Sequence, residues 1–193
     1  MEQFSCKTKI VSGSGATAYL KELKSRKLLV VSDPYFMENG VAEKLAGLSG
    51  AAEYRTFHDI CPDPTVELAA AGTALVREFM PDTVVALGGG SAIDCAKAMV
   101  YFGGVAVTFV AIPTTSGSGS EVTDFAVLTH GSTKHPLVDE KLRPDVAILD
   151  SALLENLPKG LIADTGFDVL THALEGYVAT GRSGFTDALA KDA

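Results

Sequence analysis

DTVVALGGGSAIDCAKAMVYF (residues 82–102) combines an apolar run, three glycines and a helical segment in direct succession. The first part, 82–91, is rich in β-branched apolar residues and predicts a buried strand that runs into a glycine turn. The second part, 92–102, has the apolar spacing of a helix. A strand that leads directly into a helix is typical of the units from which parallel sheets are built.

Further segments repeat this alternation along the chain. A helix is predicted over 64–80, where Pro64 and Thr65 are well placed at its start. Three more apolar runs predict buried strands: LLVVSD (28–33), VAVTFVAIPTT (105–115) and VAILD (146–150). Continuous apolar strands separated by helices indicate a sheet covered on both faces. We therefore predict an α/β fold, a Rossmann-like parallel sheet flanked by helices.

Two other regions depart from the alternation. FAVLTH and KHPLVD, on either side of GST (131–133), predict a hairpin at the edge of the sheet. After Asp150 no strand is predicted, and the pattern indicates helix, turn, helix. We place a domain boundary near Leu157, so that residues 1–157 form an α/β domain. Residues 158–193 are too few to bury a core of their own, since helices this short are marginal alone. They would begin an all-α domain whose remainder is absent.

The composition limits the classes of function. The chain has 193 residues, is 47% hydrophobic and 21% charged, and carries a net charge of -8. Such a charge argues against nucleic acid or an anionic membrane surface as partner. No apolar run is long enough to span a bilayer, and MEQFSCKTKI lacks the apolar core of a signal peptide. Three cysteines without a CxxC pair indicate neither a disulfide framework nor a zinc knuckle. A cytoplasmic protein is expected.

Two loops follow predicted strands and could bind a nucleotide. In GGGSAID (88–94) the glycines allow close approach of a phosphate, which Ser91 and the free N–H groups of the helix start could bind. It is neither a GxGxxG motif nor a P-loop, and a tight turn without a ligand is the alternative. PTTSGSGSEVT (113–123) could wrap a nucleotide or be a flexible polar connection. Because both follow strands, they favour a nucleotide site together.

Asp33, at the end of the strand 28–33, has two interpretations. Its carboxylate could accept hydrogen bonds from the ribose hydroxyls of an adenine nucleotide and repel a 2′-phosphate, which would favour NAD over NADP. Alternatively, it could cap a helix that begins at Pro34.

Asp168 and His172 lie four residues apart on a predicted helix and therefore share one face. A carboxylate and an imidazole suit a divalent transition metal, but two ligands are too few. A solvated acid and a buried histidine are the alternative. His58, His130 and His135 share no spacing and are interpreted as surface residues. No G-x-S-x-G motif indicates a nucleophilic serine.

With these motifs assembled, the chain resembles the N-terminal half of the iron-containing (group III) alcohol dehydrogenases. The resemblance covers essentially the whole chain, and within the family it is most similar to propanol dehydrogenases of the microcompartment-associated kind. Four motifs in the family's order carry it: GGGSAIDCAK, AIPTTSGSGSEVT, KHPLVDEKLRPDVAILD and ADTGFDVLTHALEGYV.

The resemblance implies roles for individual residues. Asp33 would bind the adenosine ribose, and Asp168 and His172 would be two of four ligands to iron, or sometimes zinc. The remaining cofactor-binding residues implied are Gly89, Gly90, Ser91, Asp94, Thr114, Thr115, Phe125 and Lys134. The sequence departs from the family at Asp63, where many members have an asparagine.

The resemblance further implies an NAD- and metal-dependent oxidoreductase that interconverts a primary alcohol and an aldehyde. The other two ligands in the family are histidines beyond Ala193, so this chain is expected to be a truncated form and inactive alone. A zinc-dependent glycerol dehydrogenase-like enzyme and, for this chain, a nucleotide-binding module without catalysis are the alternatives. A homodimer or higher homo-oligomer is expected, in the cytoplasm or inside a bacterial microcompartment.

Overall fold

A computed structural model describes residues 4–155 and 157–193. The strands are β1 (Lys9–Ser12), β2 (Lys27–Ser32), β3 (Glu53–Phe57), β4 (Thr83–Gly88), β5 (Thr108–Pro113), β6 (Phe125–His130), β7 (Thr133–Val138) and β8 (Val146–Leu149). The α-helices are α1 (Pro34–Glu38), α2 (Val41–Ser49), α3 (Val66–Phe79), α4 (Gly90–Gly103), α5 (Lys159–Val178) and α6 (Gly184–Asp192). Short 3₁₀ helices lie at Ala16–Leu23, Ser120–Val122, Glu140–Leu142 and Ser151–Leu153.

Six strands form one parallel sheet in the order β1-β8-β5-β4-β2-β3. Every residue of β4 is buried, and so is every residue of β2 and β5 except the first of each strand. These three strands are the long apolar runs of the sequence, because a strand covered by helices on both faces has no polar face to present. The predicted α/β fold is therefore confirmed.

Two layers of helices cover the sheet, and alternate side chains of each strand face one or the other. On one face, α3 and α4 bury a cluster that includes Leu29, Val84 and Phe109. On the other, α1, α2 and the 3₁₀ helix Ala16–Leu23 bury a cluster that includes Leu28 and Val85. This alternation follows from the two-residue period of strand side chains.

The two strands at the ends of the sheet were not predicted. β1 and β3, with the sequences KIVS and EYRTF, are exposed at most positions. Because an edge strand needs fewer apolar residues, neither shows a continuous apolar run. The helix α2 before β3 was also missed, whereas α1 begins at Pro34, as one of the two interpretations of Asp33 had it.

The predicted hairpin exists, but its predicted position at the edge of the sheet is wrong. β6 and β7 pair only with each other among the described strands, as a separate antiparallel sheet, and His130 pairs with Thr133 across the turn. The hairpin packs beside α4 and buries Leu128 in the cluster that α3 and α4 share. The apolar side chains of β6 pack on the outer side of α4, and β6 forms no ladder with a strand of the main sheet.

The chain beyond residue 157 is helical, as predicted. No residue is buried in α5 or α6, all of whose residues the structure describes. The two helices pack on each other, and α6 starts with a capping box between Ser183 and Thr186. The domain boundary near residue 157 stays a prediction. Among the described helices, none combines the length and apolar character needed to cross a membrane.

Candidate functional site

A cleft opens at the carboxyl ends of the central strands. The chain runs from β2 outward to β3 and then returns to the other side of β2 to form β4, so the strand order reverses between β2 and β4. Open α/β sheets bind ligands at such a reversal, because the neighbouring connections diverge to opposite faces and leave a crevice. Here the crevice has a volume of about 540 Å³, within the range that small-molecule sites occupy.

The glycine turn (residues 88–91) forms the floor of this cleft. Gly88 has φ of +150°, a conformation that favours glycine, and a Cβ there would lie 2.7 Å from the Ala92 Cβ. Helix α4 starts directly after Gly89, and no side chain among the described residues caps its first turn. The N–H groups of Ala92 and Ile93 donate to the Gly89 carbonyl, which leaves those of Gly90 and Ser91 and the Ser91 hydroxyl available to an anion in the cleft.

The hydroxyl-rich loop (residues 114–123) packs directly on the glycine turn. A Cβ on Gly89 would lie 3.2 Å from the Thr115 side chain, and one on Gly90 would lie 3.1 Å from the Ser118 Cβ. Thr114 is buried, and its N–H donates to the Gly88 carbonyl at 3.0 Å. The two loops that the sequence singled out are thus joined into one surface.

Asp33 caps the helix that follows β2 and also lines the cleft. Its Oδ1 accepts a hydrogen bond from the Phe36 N–H at 3.3 Å, so it caps α1, and the residue also lines the cleft. Burial raises the pKa of the Asp33 carboxyl, against the lowering effect of the Phe36 and Tyr35 N–H groups. A carboxylate in this position would face a ligand bound over the glycine turn.

The apolar walls of the cleft were missed by sequence reasoning. Ile60, Cys61 and Pro62 form one wall and follow β3, while Leu157, Pro158 and Leu161 contribute another. The signal that could have found the first wall is the loop after β3, since the carboxyl ends of all parallel strands meet at one edge. It went unused because β3 itself was not predicted.

Six of the predicted cofactor-binding residues line the cleft, and three do not. Those that line it are Asp33, Gly89, Gly90, Ser91, Thr114 and Thr115. Asp94 faces the hairpin, where its Oδ2 accepts a hydrogen bond from the Val127 N–H at 3.0 Å. Phe125 is 41% exposed at the start of β6, and Lys134 forms an exposed ion pair with Asp63 at 2.7 Å.

Asp168 and His172 lie next to the hydroxyl-rich loop. His172 Nδ1 is 2.9 Å from the Gly117 carbonyl, and His172 Nε2 is 3.9 Å from Asp168 Oδ1. A Cβ on Gly117 would overlap Asp168, so the loop touches both side chains. Within residues 4–155 and 157–193, no cluster of three or more His, Cys, Asp or Glu side chains is arranged to hold a metal ion. His58, His130 and His135 are exposed, as predicted.

A parallel sheet with a glycine turn at the reversal of its strand order defines the class of Rossmann-like α/β domains. The sequence model of one family within this class, described as "Iron-containing alcohol dehydrogenase", matches residues 7–151. The chain belongs to this family, which confirms the resemblance, and the family is one of oxidoreductases.

Three relatives make the similarity specific. Over 200 residues the chain is 44% identical to the 1-propanol dehydrogenase of Citrobacter freundii, with 100% of this chain and 54% of that protein covered. It is 41% identical over 217 residues to the NADPH-dependent butanol dehydrogenase of Clostridium saccharobutylicum, with coverages of 100% and 56%. The structure of sulfoacetaldehyde reductase from Bifidobacterium kashiwanohense in complex with NAD+ matches with a TM-score of 0.91 at 30% identity, over 98% of this chain and 57% of that one.

The chain therefore spans about half the length of the curated relatives it matches. The relatives favour an alcohol dehydrogenase over the alternative of a zinc-dependent glycerol dehydrogenase-like enzyme.

Proposed function

We propose that this chain supplies the dinucleotide-binding part and two metal ligands of an NAD-dependent dehydrogenase that interconverts a primary alcohol and an aldehyde. One observation carries the proposal: the hydroxyl-rich loop contacts both the glycine turn and the pair Asp168 and His172. A dinucleotide over the glycine turn and a metal at this pair would therefore be neighbours, as hydride transfer to or from a metal-activated substrate requires.

The cofactor would lie across the cleft, with its pyrophosphate at the start of α4. The N–H groups of the first helical turn and the Ser91 hydroxyl would hold the phosphate oxygens. Asp33 would accept hydrogen bonds from the adenosine ribose, and Thr114 and Thr115 would complete the groove. One relative is named as NADPH-dependent and another was solved with NAD+. Family membership thus leaves the choice of cofactor to local residues, and Asp33 supports NAD.

Asp168 and His172 fit a divalent iron or zinc ion as two of its ligands. If His172 Nδ1 donates its proton to the Gly117 carbonyl at 2.9 Å, Nε2 keeps its lone pair beside the Asp168 carboxylate. A backbone carbonyl commonly fixes the tautomer of a ligating histidine in this way. When bound, such an ion supplies Lewis acidity that polarises the oxygen of the substrate.

Other features of the whole protein follow from the same proposal. Primary alcohols and aldehydes of the size of propanol are the proposed substrates, in line with the names of the relatives. A homodimer or higher homo-oligomer and a location in the cytoplasm, or inside a bacterial microcompartment, are also proposed, without nucleic acid or a membrane as partner. The competing function for this chain is a nucleotide-binding module without catalysis.

Two measurements test the proposal. The first is titration of the 193-residue chain with NADH by fluorescence, which should detect saturable binding. The second uses a chimera in which this chain is joined to the part of the Citrobacter freundii enzyme that it does not cover. The chimera should reduce propanal with NADH when loaded with iron, and His172→Ala in the chimera should abolish turnover.

Different failures have different meanings. Binding of NADH by the chain, together with an inactive but folded and metal-loaded chimera, would support the nucleotide-binding module instead. Absence of NADH binding by both proteins would overturn the assignment of the cleft.

A further inference from the structure

Lys97 is a lysine without exposed surface in the middle of α4. Its Nζ donates hydrogen bonds to the Phe125 carbonyl at 2.6 Å and to the Thr123 Oγ1 at 3.0 Å. The lysine therefore holds the polypeptide at the point where the hydroxyl-rich loop ends and the hairpin begins.

Asp94 makes a third contact with the same stretch of chain. It lies three residues before Lys97 and therefore on the same side of α4, and its Oδ2 accepts a hydrogen bond from the Val127 N–H at 3.0 Å. Together the two side chains bind residues 123–127 along about one turn of the helix. They do so at the Val127 N–H, the Phe125 carbonyl and the Thr123 hydroxyl.

The charge of Lys97 is costly in this position. Burial lowers its pKa to about 8, against the attraction of three nearby carboxylates. Those carboxylates belong to Asp94, Glu121 and Asp124. A buried charge of this kind is weak evidence for stability, since an apolar side chain of similar size often stabilises a fold at least as well. The role of Lys97 therefore lies in positioning the chain segment that it binds rather than in stabilising the fold.

That geometry links the two loops of the cleft. Helix α4 carries the glycine turn at its start and the contacts of Asp94 and Lys97 one to two turns later. The chain between these contacts and β5 is the hydroxyl-rich loop, which packs on Gly89 and Gly90. Helix α4 is thus covalently continuous with the glycine turn and binds the end of the hydroxyl-rich loop by hydrogen bonds.

We propose that Asp94 and Lys97 are positioning residues that hold the hydroxyl-rich loop against the glycine turn and so keep the dinucleotide cleft in its binding geometry. The part of this proposal that concerns affinity rests on the proposed function of the cleft. The part that concerns the order of the loop does not.

The test compares Lys97→Met with Lys44→Met in the 193-residue chain. Methionine matches the length of lysine but donates no hydrogen bond. Lys44 is exposed on α2, on the opposite face of the sheet. In Lys97→Met, backbone amides of 114–127 should exchange with solvent about tenfold faster, and the Kd for NADH should rise about tenfold, as expected for lost hydrogen bonds to a charged donor. Amides of β4 should not exchange faster than in wild type, and Lys44→Met should behave as wild type.

A second variant guards against a folding defect. Thr123→Val is isosteric, leaves Lys97 in place and removes one of its two acceptors, together with the bond at 3.5 Å that the Thr123 hydroxyl donates to the Ser120 carbonyl. It should speed exchange of the loop by a smaller factor than Lys97→Met does. Equal exchange in wild type and both variants would overturn the proposal. So would uniform acceleration across β4 and β5, because Lys97 would then be an ordinary part of the core. If neither the wild-type chain nor the chimera binds NADH, the proposed function fails, while exchange of the loop still decides the role of Lys97.

Discussion

Asp33 is the residue on which the choice of cofactor depends. Asp33→Gly should raise the affinity for NADPH about tenfold or more, because the charge that repels a 2′-phosphate is removed. Loss of the α1 cap should cost only a few tenths of a kcal/mol. Since burial raises the pKa of Asp33, the preference for NADH in wild type should weaken as the pH falls and the carboxyl is protonated. Parallel fluorescence titrations with NADH and NADPH measure both effects.

Asp33→Ser is the matched variant for this prediction. Serine keeps an acceptor for the Phe36 N–H but carries no charge. It should relax the preference for NADH like glycine while leaving α1 capped. A wild-type chain that binds NADPH as tightly as NADH would contradict the role given to Asp33.

Gly89 is the residue at which added volume should block the cleft. Its φ of -76° is accessible to other residues, so Gly89→Val should not strain the backbone. A Cβ would nevertheless lie 3.2 Å from Thr115, and the branched side chain would fill the space over the turn. We expect loss of NADH binding with retention of the fold, measured by fluorescence titration and circular dichroism.

The control for this variant is Gly47→Val, in α2, where nothing lies within 4 Å of an added Cβ. It should slightly favour the helix, because glycine is a poorer helix former than valine, and it should leave NADH binding intact. Unchanged NADH affinity in Gly89→Val would remove the glycine turn from the site.

Lys97 should leave a trace in the dependence of stability on pH. Its pKa is lowered from 10.5 to about 8 by burial. Between these values the unfolded chain keeps the proton that the folded chain has lost, so the free energy of unfolding should rise with pH. The rise attributable to this group is at most about 3 kcal/mol. Urea unfolding of wild type and Lys97→Met, from about pH 7.5 to about 10.5, measures this rise. Identical slopes of unfolding free energy against pH in the two proteins would refute the prediction.

At the scale of elements, α4 and α5 are expected to differ most in local stability. Most of α4 is buried, whereas α5 has no buried residue and is joined to the hydroxyl-rich loop by few polar contacts. Amides of α5 should therefore exchange faster than those of α4, by roughly two orders of magnitude or more. Hydrogen exchange followed by mass spectrometry resolves the two helices.

A pair of variants separates docking of α5 from its intrinsic helicity. The Thr165 hydroxyl lies 3.2 Å from that of Ser116, while the Thr171 hydroxyl bonds to the Phe167 carbonyl of its own helix. Thr165→Val should speed exchange in α5 more than Thr171→Val does. Equal effects of the two would mean that the contact with the loop contributes nothing to docking.

At the scale of the whole molecule, the chain should bind no stoichiometric iron or zinc in the family's manner. Asp168 and His172 provide two ligands, and stable catalytic sites commonly have at least three from the protein. The isolated chain should then lack NADH-dependent reduction of propanal, although NADH can still bind to its cleft. Metal analysis and a coupled assay on the purified chain measure both. One tightly held metal per chain with turnover would mean that a second copy completes the site.

The central layer of the fold and much of the cleft could be predicted from sequence because their signals are local. A strand covered on both faces is a continuous apolar run, and a strand-to-helix turn with a φ of +150° favours glycine, as at Gly88. The edge strands β1 and β3 lacked this signal, since their exposed positions accept polar residues. Because β3 was not predicted, the apolar wall of the cleft that follows β3 was not predicted either.

The sequence by itself determined the family, the buried strands and the two loops of the cleft. Only the tertiary structure decided which distant side chains meet: Lys97 with the Phe125 carbonyl, and His172 with that of Gly117. It also decided that the hairpin lies on α4 rather than at the sheet's edge. The physical reason is that periodicity and turn chemistry act within a few residues, whereas these contacts join segments 28 and 55 residues apart. Such contacts depend on how the helices and the sheet pack, and no short stretch of sequence encodes them.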